Sequence, residues 1–201
     1  MPEMNFMGHM DVSALVAQLK ANPSLWDENK LRTATYKESP HRDAHDIWLR
    51  YRDLAEFDKD DPQAFSGKHE SVWYPAINVL TEAKELIDII CNAQGCAELG
   101  GILITRVPPG KAVYPHSDAG HWHPDYYISK YLLLLSSAPG QTFCFENEQH
   151  TGNTGDLFLF DNSKVHWVTN DSDVDRISLI IAMRTHYDNS KDGNNEQTIS
   201  T

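Results

Sequence analysis

The sequence predicts a mainly β fold, a jelly roll (double-stranded β-helix) of antiparallel strands with flanking N-terminal helices. Three observations carry this expectation. After Leu99 the chain reads as seven short β-type runs: "GILITRV", "KAVYPHSD", "YISKYLLLLSS", "QTFCFENE", "GDLFLFD", "KVHWVTN" and "RISLIIAMRT". The separators "PPG", "APG", "TGNTG", "DNS" and "DSDVD" are strong turn formers. No helical period intervenes, so the strands have only one another to pair with, as in a two-sheet sandwich or barrel.

Before Leu99 the pattern is helical or mixed. Asp11 is placed to cap a short helix carrying Leu15, Val16 and Leu19 and ending near "NPS". The polar stretch "LRTATYKESPHRDAHDIWLRYRDL" has no clear period, although "DIWLRY" suits an edge strand. "DKDDPQAFSGKHE" reads as loop from its charge, Pro and Gly. From Pro75, apolar residues fall at Val79, Leu80, Ala83, Leu86, Ile87, Ile90 and Cys91, which is helical spacing. Glu82, Glu85 and Asp88 take the other face, and Gly95 stands where a left-handed cap ends a helix. This helix is expected to be core without chemistry. The implied organisation is a single domain over 1–185, with a helical or mixed part over 1–99, a jelly-roll core over 100–185 and a polar, frayed tail over 186–201.

Composition narrows the function. The 201 residues are 40% hydrophobic and 10% aromatic, as expected of one globular domain. A net charge of -12 repels phosphate backbones and disfavours nucleic acid as a partner. No apolar run approaches the roughly 18 residues that cross a bilayer, and the N-terminus lacks the basic and apolar regions of a secretion signal. Cys91, Cys96 and Cys144 are odd in number and form no CxxC, which predicts reduced thiols and a cytoplasmic location.

The stretch "YPHSDAGHWHPDY" holds two overlapping metal-ligand patterns. His116 and Asp118 alternate on a strand, so both side chains point one way, about 6–7 Å apart at Cα. They supply two members of a two-His, one-carboxylate face, the donor set of non-haem iron oxygenases. His121, His123 and Asp125 instead resemble the His-x-His-x-Asp of metallo-β-lactamase-like zinc hydrolases. That run usually continues into another His, and here Tyr126 follows. Trp122, His121 and His123 are more simply a loop beside the metal.

The third iron ligand is expected at His166. With the "DSDVD" turn centred on Asp173, a hairpin would set Asn170 opposite Arg176, Val168 opposite Ser178 and His166 opposite Ile180, all on one face. Arg176 would then lie roughly 13 Å along the ladder from His166. It suits a ligand that chelates the metal at one end and offers a carboxylate at the other. The guanidinium supplies a planar fork for that carboxylate and Ser178 a hydroxyl beside it.

In these segments the chain resembles the iron(II)- and 2-oxoglutarate-dependent dioxygenases, and within them the aspartyl/asparaginyl β-hydroxylase-like branch. "ITRVPPGKAVYPHSD" is similar to that branch's strand, Pro-Gly turn and first metal histidine. "GDLFLFDNSKVHWVTNDSDVDRISLIIAMRT" is similar to its second histidine, its turn and its arginine strand. The likeness before Leu99 rests only on "SLWDENKLRTATY" and "DIWLR". Vertebrate members of the branch carry Gly where Asp118 stands, so this chain restores the full triad.

The resemblance implies Fe(II) on His116, Asp118 and His166, and 2-oxoglutarate held by Arg176 and Ser178. Either Lys130 or Tyr131 would add a co-substrate contact, with Tyr131 preferred. It also implies dioxygen as a reactant, and a protein side chain or small amino-acid-like molecule as the substrate to be hydroxylated. The alternatives are a nucleobase substrate for the same chemistry, or a non-catalytic, cupin-like metal-binding protein.

Overall fold

The structure, a computed structural model, describes residues 2–35 and 37–189. In chain order it runs β1 (Met4–His9), α1 (Ser13–Ala21), α2 (Leu31–Ala34), β2 (His45–Arg52), β3 (Ser71–Trp73), α3 (Ala76–Val79) and α4 (Thr81–Gln94). The β-rich part follows with β4 (Cys96–Val107), β5 (Ala112–His116), α5 (Trp122–Tyr126), β6 (Ser129–Ser136) and β7 (Gln141–Phe145). It closes with β8 (Gln149–His150), β9 (Asp156–Phe160), β10 (His166–Asn170) and β11 (Arg176–Thr185). The larger sheet has the order β1-β9-β6-β11-β4-β2-β3 and the smaller the order β5-β10-β7-β8. Their pairings are antiparallel throughout, the two-sheet arrangement of a jelly roll.

All seven expected strands are present. Strands before residue 100 also enter the larger sheet: β1 pairs β9, and β2 pairs β4. β1 is invisible to patterning because "MNFMGH" leaves most of its side chains at least partly exposed on a sheet edge. β2, expected at an edge, lies one place inside it, since β3 pairs with Arg50–Arg52.

Two apolar layers explain why the strand runs are so continuous. Tyr131, Leu133, Leu179, Ile181, Ile102 and Ile104 face outward onto Leu15 and Leu19 of α1 and Ala83, Ile87 and Ile90 of α4. Leu132, Leu134, Val107, Phe143, Phe160 and Val168 fill the space between the sheets. A strand buried on both faces reads as an unbroken apolar run, as "YLLLLS" does. Burying each large α4 side chain stabilises the fold by about 1.5–3 kcal/mol relative to exposure.

The helix expected from Pro75 is two pieces, α3 and α4, broken at Leu80 (φ -95°, ψ 62°). The break leaves Val79 exposed and Leu80 fully buried. Gly95 caps α4 in the left-handed region as expected, φ 65°. Asp11 accepts a hydrogen bond from Ser13 N at 2.9 Å at the start of α1.

The expected β10–β11 hairpin does not form, although both strands exist. β10 pairs with β5 and β7 in the smaller sheet, and β11 with β4 and β6 in the larger. Buried Asn170 carries the chain across. Its side-chain amide donates to Val107 O and Val174 O, both at 2.8 Å, and its Oδ1 accepts from Ser172 Oγ at 2.7 Å. Those bonds turn the chain from one layer into the other.

The tail also departs from expectation at its start. Residues 186–189 are helical, and Asp188 is buried, accepting from Thr185 N and Thr185 Oγ1 at 2.8 Å and from Ser129 Oγ at 3.0 Å. The rest of the tail lies outside the described residues. Among the described residues, no helix is long and apolar enough to cross a membrane.

Candidate active site

β5 and β10 bring the two histidines together because His116 and His166 are direct partners across the ladder. Pro115 is tolerated there because β5 is an edge strand, and a bulge falls between this pair and the next. Asp118 lies just past the end of β5, and its backbone N–H donates to Asn162 O at 3.0 Å. The ligand-type atoms of His116, Asp118 and His166 lie within 4.8 Å of one another. His116 Nε2 is 3.6 Å from Asp118 Oδ1.

Hydrogen bonding sets the tautomers. A carbonyl only accepts, so His116 Nδ1 donates to Tyr114 O (2.7 Å) and His166 Nδ1 to Lys164 O (2.9 Å). Each ring keeps its Nε2 lone pair for a metal, the usual device for orienting a histidine ligand. Phe143 stacks on the His166 ring at 5.6 Å and further fixes its plane.

Burial pulls the His166 pKa down to about 4, and burial likewise lowers that of His116. Burial alone would raise the Asp118 pKa. The charge of Lys130, with His166, His116 and a hydrogen bond from Lys130 Nζ, outweighs it and holds the carboxyl well below its ordinary range. Near neutral pH the cluster therefore offers two neutral imidazoles and one carboxylate, the protonation state a divalent metal needs.

The triad opens into a cavity of about 530 Å³ between the sheets. Arg176 and Ser178 face it from β11, opposite the histidines. Arg176 is 5% exposed and donates from Nη1 to Ser178 Oγ at 2.8 Å. Among the described residues it has no carboxylate partner, and burial pushes its pKa down only to about 10, so it stays charged. A buried cation without an acid is costly and calls for an anion in the cavity. The inward parity of β10 and β11 is thus as expected. The single-sheet ladder is not: the two sets face each other across the gap between layers.

Lys130, not Tyr131, faces the cavity. It pairs with Ala182 on the inner face and reaches Asp118, whereas Tyr131 pairs with Ile181, packs toward the helices and donates to Gln94 Oε1 at 3.3 Å. Tyr131 as a co-substrate contact is corrected accordingly. Both faces of β6 are buried, so alternation offers two phases with no apolar bias to choose between them.

His121, His123 and Asp125 do not converge. The segment forms α5 instead of a strand or loop, and His123 Nε2 accepts from Gly101 N at 2.9 Å. Asp125 accepts from Gly120 N. Gly101 must lack a side chain, since a Cβ would sit 2.8 Å from the Tyr51 ring and 3.1 Å from that of His123. Among the described residues, the one cluster fit for a metal is His116–Asp118–His166.

Sequence reading missed a further polar group in the same cavity. Arg32 grips buried Asp46 bidentately, at 2.8 Å (Nε) and 2.5 Å (Nη2), and also donates to Thr105 Oγ1 at 2.7 Å. Its Nη1 is 3.0 Å from His41 Nδ1, and the His41 ring packs edge-on to His116 with centroids 4.6 Å apart. These residues lie in the polar stretch that has no period. The available signal was the phase of β2, which puts Asp46 beside Thr105 on the inner face.

A family profile described as aspartyl/asparaginyl beta-hydroxylase matches residues 69–185, more than half of the chain, including the triad, Lys130, Arg176 and Ser178 but not the cavity residues before His69. The chain belongs to the aspartyl/asparaginyl β-hydroxylase family. The hydroxylase has no significant match among curated proteins. Its fold is similar to an oxidoreductase of the 2OG-Fe(II) oxygenase family from Burkholderia pseudomallei (TM-score 0.60, 12% identity, 90% of this chain and 84% of that one). It is also similar to a Pseudomonas putida prolyl-4-hydroxylase (TM-score 0.52, 18% identity, 92% and 93%). A third is the viral collagen prolyl hydroxylase of Paramecium bursaria Chlorella virus-1 (TM-score 0.52, 11% identity, 92% and 97%). Family membership makes the hydroxylase an Fe(II)- and 2-oxoglutarate-dependent oxygenase, and an enzyme in place of the non-catalytic barrel.

Proposed function

We propose that His116, Asp118 and His166 hold Fe(II), that Arg176 and Ser178 hold the far carboxylate of 2-oxoglutarate, and that the substrate is a protein side chain or small amino-acid-like molecule. The observation that carries the reading is the pairing of a convergent two-His, one-carboxylate cluster with a buried, acid-free arginine across one cavity. When bound, the iron supplies Lewis-acid and redox chemistry that couples conversion of 2-oxoglutarate and dioxygen to succinate and CO₂ with hydroxylation of a substrate C–H bond.

The chain's own residues position the reactants. The Nδ1–H bonds to Tyr114 O and Lys164 O aim both imidazoles. Asn170 sets Arg176 opposite them by fixing the crossing between sheets. Ser178 accepts from Arg176 Nη1 and so orients the guanidinium toward the cavity. Lys130 pairs with Asp118 and lines the cavity that would take the co-substrate. The reduced thiols Cys91, Cys96 and Cys144 support a cytoplasmic site of action.

The test is anaerobic loading with Fe(II) and 2-oxoglutarate, followed by exposure to air with separate pools of peptides and metabolites. Succinate above the uncoupled background, together with a mass gain of one oxygen in a pool component, is the expected result. Bound iron with no succinate in any pool would refute it.

A further inference from the structure

The Arg32–His41 contact has one possible polarity. A guanidinium only donates, so His41 Nδ1 accepts, and the neutral ring carries its proton on Nε2. Arg32 is itself immobilised by Asp46 and Thr105, which fixes the His41 ring in turn. His41 Nε2 has no hydrogen-bond partner among the described residues and is not sealed from solvent. The ring lines the main cavity beside His116. The site thus holds a rigid N–H donor next to the triad, which neither metal nor co-substrate binding requires.

The wall on the same side of the cavity is mostly apolar, formed by Leu31, Trp48, Phe57, Phe65, Leu103 and the Tyr51 ring, with the hydroxyls of Thr35, Tyr51 and Ser66 as its polar groups. Arg32 is the guanidinium on that side, and Asp46 already neutralises it. An aspartate carboxylate or asparagine amide against this wall would lose water and meet only scattered hydroxyls in return, at a cost a hydrocarbon does not incur. We infer that the hydroxylase takes an amino-acid unit with an apolar side chain, packed on the Trp48–Tyr51–Phe65 wall, whose carbonyl oxygen accepts from His41 Nε2–H. This rests on the Fe(II)/2-oxoglutarate reading above. His41 is here a substrate-positioning residue.

The test uses the iron- and 2-oxoglutarate-loaded enzyme. Formation of the Fe(II)–2-oxoglutarate charge-transfer absorbance is recorded first; its absence in the wild type sinks the iron reading and this inference with it. Probes are N-acetyl-leucinamide and N-acetyl-phenylalaninamide, free leucine and phenylalanine, and N-acetyl-asparaginamide. Succinate release and oxygen incorporation are expected with apolar probes above the asparagine probe, and the free or acetylated arm shows whether the unit is a metabolite or part of a peptide. With the best probe, His41→Phe should raise KM roughly 2- to 12-fold, the loss of one hydrogen bond. His41→Gln, which keeps an N–H donor, should recover most of that loss. The absorbance present with all apolar probes inert overturns the inference alone. So does a His41→Phe variant with wild-type KM, or one that fails to form the absorbance, because His41 would then serve the metal site.

Discussion

Replacing Arg176 with Met tests the anion site through two effects of opposite sign. The guanidinium is buried, and among the described residues its one hydrogen-bond partner is the neutral Ser178 hydroxyl. Without ligand, a methionine of similar length removes an uncompensated charge, so the variant should melt at or above the wild-type temperature, by on the order of 1 kcal/mol. With ligand the order reverses. Loss of a charge-assisted bidentate contact costs about 1.5–3 kcal/mol, or roughly 10- to 150-fold in 2-oxoglutarate affinity. At 2-oxoglutarate one hundred times the wild-type Kd, binding stabilises the wild type by about 2.7 kcal/mol. For a chain of this size that is a shift of about 5–11 °C. The same concentration would stabilise the variant by about 0.3–1.4 kcal/mol, a shift of roughly 1–6 °C. The assay is thermal melting under anaerobic Fe(II), with and without 2-oxoglutarate, alongside iron content per chain, which should not change. A variant that melts lower without ligand yet keeps the full ligand shift would refute the reasoning.

His166→Ala should abolish iron binding and turnover, while His121→Ala with His123→Ala should leave iron per chain near wild type; loss of metal in the double variant would overturn the triad. In the metal-free protein, burial holds His166 at about 4, below the ordinary 6.5 of an unfolded chain. The unfolded state then binds more protons between those values, so stability is complete above 6.5 and falls toward pH 4, by up to about 1.4 kcal/mol per pH unit. His166→Gln should reduce that slope in pH-dependent denaturation, leaving the part due to His41, His116 and His123, whose pKa values burial also lowers, and an unchanged slope would refute the His166 contribution. Gly101→Ala should cost about 1–3 kcal/mol by driving a methyl into Tyr51 and His123; a melting temperature equal to wild type would show that the rings yield freely.

What the sequence discloses here is local, and what it conceals is pairing. Turn residues delimit the seven expected strands after Leu99, though not the short β8, and alternation correctly places His166, Val168 and Asn170, and separately Arg176 and Ser178, on inward faces. Alternation contains no information on which sheet a strand joins, so β10 and β11 look like a hairpin although Asn170 sends them to different layers. On β6, both phases are buried and a lysine next to a tyrosine gives no decisive contrast; the tyrosine went to the helical side. Pro124 and two histidines hide a one-turn helix in "HWHPDY". Arg32, His41 and Asp46 escape because they contact one another and Thr105, a relation visible only once β2 lies against β4.

The crossing at Asn170 makes the sandwich a gauge. In the proposed assignment the metal ligands hang from one layer and the guanidinium from the other, and packed sheets stand about 10 Å apart. A diacid that engages both ends becomes a strut whose length is compared with the separation of the layers. A four-carbon 2-oxo diacid falls one methylene short of the five-carbon one, and a longer homologue has to buckle. On that assignment Leu132 and Phe143, which pack between the layers, would share in selecting the co-substrate although neither has a charge to offer it.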